Sequence, residues 1–195
     1  MFATMLDLLF PPQCASCATI GSGLCLRCAP AMPPISHALP TLTVHALGPY
    51  EGAWRSAVLA LKDGRRDVAG ALGERLASLS CAQYALVAVP TTSARRAQRG
   101  FDGGEMLART AARISGATLL EGLVQVAGDA QRGRRRPERL AARGRFEWRG
   151  RPLEGRRVVL VDDVVTTGAT LEDCAATVRT AGGVVYQAIV VARAA

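Results

Sequence analysis

Residues 158–170, from Val158 to Thr170, read VVLVDDVVTTGAT and decide the fold class of this 195-residue chain. The stretch opens with four aliphatic residues, 158–161, which is typical of a strand buried on both faces. Two carboxylates follow, then a turn of small residues and the start of a helix. A buried strand that passes through a short loop into a helix is the unit of parallel α/β sheets, so we expect a parallel sheet flanked by helices.

The rest of the chain after residue 40 alternates between strand and helix patterns, as such a sheet requires. The predicted strands are 43–47, 85–90, 158–161 and 184–191, and the predicted helices are 52–61, 68–80, 104–114 and 170–181. Ligands of parallel α/β sheets bind at the carboxyl ends of the strands, which is where the two carboxylates fall.

The first forty residues have a different composition. Four of the ten prolines lie within residues 30–40, and a proline-rich stretch resists both helix and strand. We therefore expect a semi-rigid linker there, with a domain boundary near residue 40. The predicted division is a small module over 1–40 and an α/β domain over 41–195.

The two carboxylates and the turn after them have the chemistry of a sugar-phosphate site. Residues 166–170 place successive backbone N–H groups and three hydroxyls at a helix N-terminus, an arrangement that binds phosphate. Asp162 and Asp163 are expected to leave the strand just before this loop, where they can accept hydrogen bonds from ribose hydroxyls, directly or through Mg²⁺. The alternative interpretation is an acidic turn with a threonine cap on the helix.

Four of the six cysteines form two CxxC pairs in the N-terminal module, at Cys14, Cys17, Cys25 and Cys28. Two such pairs supply the four thiolates of a tetrahedral Zn²⁺ site. Disulfides and a redox CxxC are the alternatives. A segment with almost no hydrophobic core of its own favours structural zinc, because it would not fold unaided.

The net charge of +8 is concentrated in residues 129–157, which hold eleven arginines and four acids. Such a block is either a solvated basic loop or a contact surface for a polyanion such as nucleic acid. Lys62 is the single lysine among 24 basic residues, and either chance or a need for a compact ammonium explains it.

The expected location is the cytoplasm, without membrane insertion. No apolar run approaches the length of a membrane span, and the apolar residues 1–10 lack the basic start of a signal peptide.

Residues 158–170 resemble the phosphoribosyl-pyrophosphate signature of type I phosphoribosyltransferases. The remaining motifs narrow the resemblance to the ComF competence family, which includes GntX-type proteins. These motifs are the double CxxC behind the lead LLFPPxC, the pair Leu61-Lys62, Val89-Pro90 followed by Arg-Arg, and the tripeptide Arg99-Gly100-Phe101. The resemblance covers essentially the whole chain and implies a type I phosphoribosyltransferase-like fold with an N-terminal zinc module.

The resemblance also implies roles for individual residues. Asp162 and Asp163 would hold the ribose as the catalytic pair, and the four cysteines would hold zinc. Mg²⁺ would accompany the sugar pyrophosphate. The implied phosphate and pyrophosphate ligands are Thr166, Thr167, Gly168, Ala169, Thr170, Lys62, Pro90, Thr91, Thr92, Arg95, Arg96 and Arg99.

Two functions are implied, and both stay open at this stage. One is a protein of DNA uptake and natural transformation that binds phosphoribosyl pyrophosphate or a related sugar phosphate. It would also bind single-stranded DNA through Arg134, Arg135, Arg136 and Arg139, and the DNA-uptake machinery would be its partner. The other is an active phosphoribosyltransferase that acts on a nucleobase or another small acceptor. The sequence departs from the family at Asp102, where the family usually has asparagine.

Overall fold

A computed structural model describes residues 11–91, 102–126 and 145–194 of the chain. Its strands are β1 (Ile35–Ala38), β2 (Thr43–Pro49), β3 (Ala85–Ala88), β4 (Thr118–Leu119), β5 (Leu123–Gln125), β6 (Phe146–Trp148), β7 (Arg157–Val165) and β8 (Val184–Arg193). Its helices are α1 (Gly52–Lys62), α2 (Arg66–Leu76), α3 (Gly103–Ser115) and α4 (Ala169–Thr180), and a 3₁₀ turn at Ala77–Leu79 follows α2.

Six strands form one sheet in the order β1-β2-β8-β7-β3-β4, and β5 and β6 form a separate antiparallel hairpin. The pairs β2–β8, β8–β7, β7–β3 and β3–β4 are parallel. The expected parallel sheet flanked by helices is therefore confirmed. The predicted strands and helices are all present, with ends that differ by a few residues.

The central strand β7 is buried on both faces, as its run of valine and leucine predicts. Val159 and Val161 pack into a core that contains residues of α1, α2 and α3. Val158 and Leu160 pack into a second core with residues of α4 and with Phe146 of the β5–β6 hairpin. Because side chains alternate along a strand, one apolar run supports two helical layers.

Two expectations from the sequence are corrected. Strand β1 lies inside the proline-rich stretch that was expected to lack regular structure, because Pro34 and Pro40 flank it and leave its interior free to pair. It pairs antiparallel with β2 at the edge of the sheet. Strand β7 continues to Val165, so Asp162 and Asp163 lie within the strand and not after it.

In residues 11–91, 102–126 and 145–194, no helix combines the length and apolar composition needed to cross a bilayer.

The four-cysteine segment, residues 13–29, packs directly against α2, and we call it the knuckle. Cys14, Leu24 and Ala29 are buried in the same core as Val68 and Leu72 of α2. The backbones approach so closely that a Cβ on Gly23 would lie 2.6 Å from both the carbonyl oxygen of Asp67 and the Cα of Val68. The knuckle therefore shares a core with the helical layer.

The close contact between Gly23 and the backbone of α2 predicts that Gly23→Ala lowers the free energy of unfolding by about 1–3 kcal/mol. The new methyl group would meet backbone atoms that cannot rotate away. Gly70→Ala is the matched control on the same helix, since a Cβ there meets nothing within 4 Å. It should raise stability by up to about 1 kcal/mol through helix propensity. Urea unfolding of both variants measures the difference, and equal effects would contradict the packing.

Candidate functional site

Two neighbouring aspartates on β7, Asp162 and Asp163, both line one cavity but have different partners. The carboxylate of Asp163 lies 3.5 Å from the Nζ of Lys62, the last residue of α1. Asp162 lines the loop before α4, and its charge acts on the buried thiol of Cys174 in α4. Both aspartates are half-buried, and the backbone N–H of Asp163 donates to Asp162 Oδ1 at 2.8 Å. The pair can therefore contact a ligand from two directions.

The environment of Asp162 opposes its ionisation. Burial is the main cause, the charge of Asp163 adds to it, and together they raise the pKa of Asp162 well above its ordinary value. The positive charge of Lys62 acts in the other direction. A cation beside the two carboxylates would favour the doubly ionised pair.

A cavity of about 380 Å³ opens over the carboxylates at the carboxyl end of the sheet. Strand β3 ends opposite Val161, so the loop after it passes over the cavity beside β7. The lining includes the predicted residues Lys62, Pro90, Thr91, Asp162, Asp163 and Thr170, together with Gly103, Gly104, Gln125, Arg145 and Phe146. Six of the residues named from the sequence are thus brought together from four separate segments.

The predicted phosphate loop surrounds a smaller cavity of about 50 Å³ beside the larger one. Residues 166–170 all line it, and Asp162 and Thr170 line both cavities. Gly168 is the N-cap of α4 with φ of +78°, a left-handed conformation that favours glycine. A Cβ at this position would also collide with the side chain of Leu39, so the segment between β1 and β2 supports the loop from behind.

Asp102 connects the loop after β3 to the start of α3. It is 6% exposed, and its carboxylate accepts hydrogen bonds from the backbone N–H of Glu105 at 3.2 Å and of Thr91 at 3.4 Å. Its position is the N-cap of α3, where aspartate and asparagine are both favoured. The departure from the family at this position therefore preserves a cap.

Sequence reasoning missed several residues that line the larger cavity. The start of α3 was predicted within one residue, but its glycines were not named as site residues, although Asp102-Gly-Gly-Glu105 matches a helix N-cap pattern. Gln125 and Arg145 carry no local signal, because only the β5–β6 hairpin brings them to the sheet. Arg145 forms an ion pair with Asp173 of α4 at 2.5 Å.

Several predicted site residues lie outside the described residues. On the pyrophosphate side these are Thr92, Arg95, Arg96 and Arg99, and in the arginine-rich stretch they are Arg134, Arg135, Arg136 and Arg139. Their roles stay predictions.

A third cavity, of about 970 Å³, lies away from the two at the carboxylates, between β6 and the outer side of α4. Its lining includes Trp148, Pro152 and Thr177 but neither of the β7 carboxylates. By volume alone, this third cavity would be the candidate ligand site. We place the candidate site at the smaller ones because they hold the paired carboxylates, the lysine and the glycine-containing helix start.

The four knuckle cysteines form a second candidate site. One Sγ atom from each of Cys14, Cys17, Cys25 and Cys28 lies within 4.8 Å of all the others. The Sγ atoms of Cys17 and Cys25 are 3.7 Å apart, close to the about 3.8 Å edge of a tetrahedron with Zn–S bonds of about 2.3 Å. The cluster can hold a structural metal such as zinc, and its four sulfur ligands would leave no open position for catalysis.

Groups around the cysteines favour the thiolate form on one of them. Hydrogen bonds from Thr19, and further ones from Arg27, lower the pKa of Cys17 to about 5. The hydrogen bond shared with Cys17 raises the pKa of Cys28 to about 12. The backbone N–H of Cys25 also donates to the Sγ of Cys14 at 3.4 Å. Thiolate is the form that binds metal, and the surroundings of Cys17 favour it there.

No family model matches the chain. The competence protein ComFC of Bacillus subtilis (strain 168) is 32% identical over 88 residues, which cover 45% of this chain and 35% of that protein. The similarity covers less than half of this chain and, with the four-cysteine cluster, agrees with the resemblance of the sequence motifs to the ComF family. The chain spans about a third of the length of this curated relative.

Two solved structures are similar to part of this chain. Glutamine phosphoribosylpyrophosphate amidotransferase from B. subtilis has a TM-score of 0.49 and 23% identity over 68% of this chain and 30% of that chain. A structure described as the allosteric regulatory enzyme of purine biosynthesis has a TM-score of 0.45, with the same identity and coverage.

The knuckle geometry predicts one tightly held zinc per chain. Metal analysis of protein purified without added zinc should give a zinc-to-protein ratio near one, and Cys14→Ser should lower it because it removes the buried ligand. Cys81→Ser is the matched control, since Cys81 lies outside the cluster. Metal-free protein with an intact knuckle, or a disulfide among the four cysteines, would contradict the assignment.

Proposed function

We propose that the chain is a competence-related protein that binds phosphoribosyl pyrophosphate or a related sugar phosphate with Mg²⁺. The observation that carries the proposal is the meeting of a carboxylate pair, an ammonium and a helix-start loop around two adjoining cavities. Asp162 lines both cavities, and Lys62 faces Asp163 at 3.5 Å. The similarity to a competence protein supports the competence role.

The two cavities suit different parts of such a ligand. The smaller one offers backbone N–H groups and threonine hydroxyls at the start of α4, which suit a terminal phosphate. The carboxylates between the cavities suit the ribose hydroxyls, which are hydrogen-bond donors. On the far side of the larger cavity, the start of α3 at Gly103 and Gly104 and the ammonium of Lys62 suit a pyrophosphate.

The carboxylate pair also fits Mg²⁺. Magnesium is a hard cation that prefers oxygen ligands and usually takes one or two protein carboxylates together with phosphates of the substrate. Burial and mutual repulsion make the doubly charged pair unfavourable when it is alone, and a divalent cation would offset both effects. When bound with the ligand, Mg²⁺ would neutralise pyrophosphate charge. Asp162 and Asp163 are the residues that would hold it.

Replacing both carboxylates tests the proposed site. Asp162→Asn with Asp163→Asn should remove most of the Mg²⁺-dependent binding of phosphoribosyl pyrophosphate in calorimetry, because the amides keep the shape and lose the charge. Thr167→Val should weaken binding by about 1–3 kcal/mol if its hydroxyl contacts the phosphate.

Glu74→Gln with Glu154→Gln is the control for net charge, since both glutamates are exposed and outside the cavities. Unchanged affinity in the double aspartate variant would refute the proposal. The same titrations should include a panel of nucleobases. Steady pyrophosphate release with one of them would identify an active phosphoribosyltransferase, and binding without release would identify a ligand-binding protein.

We further propose that single-stranded DNA binds the arginine-rich stretch, with the DNA-uptake machinery as the cellular partner. The support is the concentration of eleven arginines in residues 129–157 and the similarity to a competence protein. In this stretch, Arg149, Arg151, Arg156 and Arg157 are exposed among the described residues. Polyanion binding through arginine releases counterions and therefore weakens with salt.

Substitution of Arg134, Arg135 and Arg136 by alanine should weaken binding of all single-stranded sequences alike. It should also flatten the log–log salt dependence by about two units, since each lost phosphate contact contributes about 0.7. Fluorescence anisotropy at several salt concentrations measures this slope. Alanine at Arg55, Arg109 and Arg113 removes the same charge from other positions as a control. If both triple variants bind alike, the arginine cluster is not the DNA site.

A further inference from the structure

The turn between α1 and α2 is short and tightly hydrogen-bonded. Only residues 63–65 separate Lys62, the last residue of α1, from the first residue of α2. The backbone N–H of Asp63 donates to the carbonyl of Leu59 at 2.9 Å, and that of Arg65 donates to the carbonyl of Ala60 at 3.0 Å. A displacement of Arg65 would therefore be transmitted to Lys62.

The knuckle is hydrogen-bonded to this turn through the residue before its first cysteine. The backbone N–H of Gln13 donates to Asp67 Oδ2 at 3.3 Å, and the carbonyl of Gln13 accepts from the guanidinium of Arg65. Arg65 and Asp67 are themselves paired, with Nη2 to Oδ2 at 2.5 Å and Nε to Oδ1 at 3.2 Å. Both backbone polar groups of Gln13 are thus held by side chains at the start of α2.

A second set of contacts holds the knuckle at the other end of α2. Arg75 donates to the carbonyl oxygens of Ala29 at 2.7 Å and Leu24 at 3.0 Å, and its guanidinium lies 5.4 Å from the centre of the Trp54 ring in α1. The knuckle therefore contacts α2 at both ends, so a metal that ordered the knuckle would act on both sets of contacts.

The same turn leads directly into the candidate site. Lys62 contacts Asp163 on one side of the larger cavity. Its neighbour Leu61 packs against the start of α3, where a Cβ on Gly103 would lie 3.3 Å from the leucine side chain. The end of α1 thus touches both the carboxylate strand and the proposed pyrophosphate side.

We propose that Arg65 and Asp67 are positioning residues that couple the metal-holding knuckle to Lys62, so that metal occupancy sets the affinity of the cavity for a phosphorylated sugar. The coupling to ligand affinity rests on the function proposed above. The geometric part, which is that the knuckle holds Lys62 against Asp163, is independent of any ligand. A purely stabilising role for the knuckle would change the unfolding free energy and leave Lys62 where it is.

Lys62 is the only lysine in the chain, which gives the geometric part a direct measurement. Reductive methylation with ¹³C-formaldehyde keeps the positive charge and labels Lys62 and the N-terminal amine alone, so NMR follows one side-chain signal. In metal-loaded protein, Asp67→Ala and Arg65→Ala should each move that signal toward the value of free dimethyl-lysine. Removal of the metal from the wild type should move it in the same direction.

Two further variants control this measurement. Asp67→Asn keeps an oxygen that can accept from Gln13 and should retain part of the wild-type signal. Arg109→Ala breaks the ion pairs of Arg109 with Glu105 and Glu121. These residues take no part in the contacts between the knuckle and α2, so the Lys62 signal should stay unchanged. An unchanged Lys62 signal in folded, metal-loaded Asp67→Ala and Arg65→Ala overturns the proposal, whether or not a ligand binds.

Calorimetry with phosphoribosyl pyrophosphate and Mg²⁺ tests the link to affinity. Asp67→Ala should weaken binding about 5- to 10-fold, within the usual range of coupling between sites. In a Lys62→Ala background it should change binding less than about 2-fold, because the coupled side chain is gone. By reciprocity, the ligand should slow transfer of zinc to a chelator in the wild type and not in Asp67→Ala.

The outcomes separate the two proposals. Equal weakening by Asp67→Ala with and without Lys62 overturns the route through Lys62. Absence of phosphoribosyl pyrophosphate binding to the metal-loaded wild type overturns the proposed function. In that case a shifted Lys62 signal still supports the mechanical coupling, and an unshifted one overturns it as well.

Discussion

The burial of β7 on both faces is the constraint on which the rest of the structure depends. Its apolar run needs a helical layer on each side, and the two cores that result divide its residues alternately. Asp162 and Asp163 follow this apolar run on the same strand, at the edge of the sheet where the cavity opens. One meets the ammonium of Lys62 and the other the start of α4. A single strand thereby positions the two helical layers and places the two carboxylates of the candidate site.

Residues 11–40 contact the α/β part from both of their ends, although their composition sets them apart. Strand β1 pairs with β2, Leu39 packs against Gly168 of the phosphate loop, and Gly23 lets the knuckle approach α2. Two of these contacts need glycine, because a side chain would collide. The division at residue 40 remains a proposal about organisation. The contacts give the N-terminal part physical means to influence the site.

The difference at Asp102 between this chain and the family that its sequence resembles has a physical explanation. Asp102 stands where the related family has asparagine, and it caps α3 while it also accepts from Thr91. Either residue type performs the capping, but aspartate places a negative charge near the proposed pyrophosphate side. Lys62 supplies a positive charge to the same cavity. The balance of these charges is a property of the assembled site.

The sequence by itself determined the fold class, the cysteine cluster and the loop before α4, because each is encoded by neighbouring residues with a local physical meaning. An apolar run predicts a buried strand, two CxxC pairs predict a metal site, and glycine after two threonines predicts a helix start. Only the tertiary structure decided that Lys62 faces Asp163, that Gln125 and Arg145 reach the cavity, and that β1 joins the sheet. Those contacts join segments that are far apart in the chain. The order of the strands and the close approach of backbones bring these segments together, and no local sequence pattern encodes either.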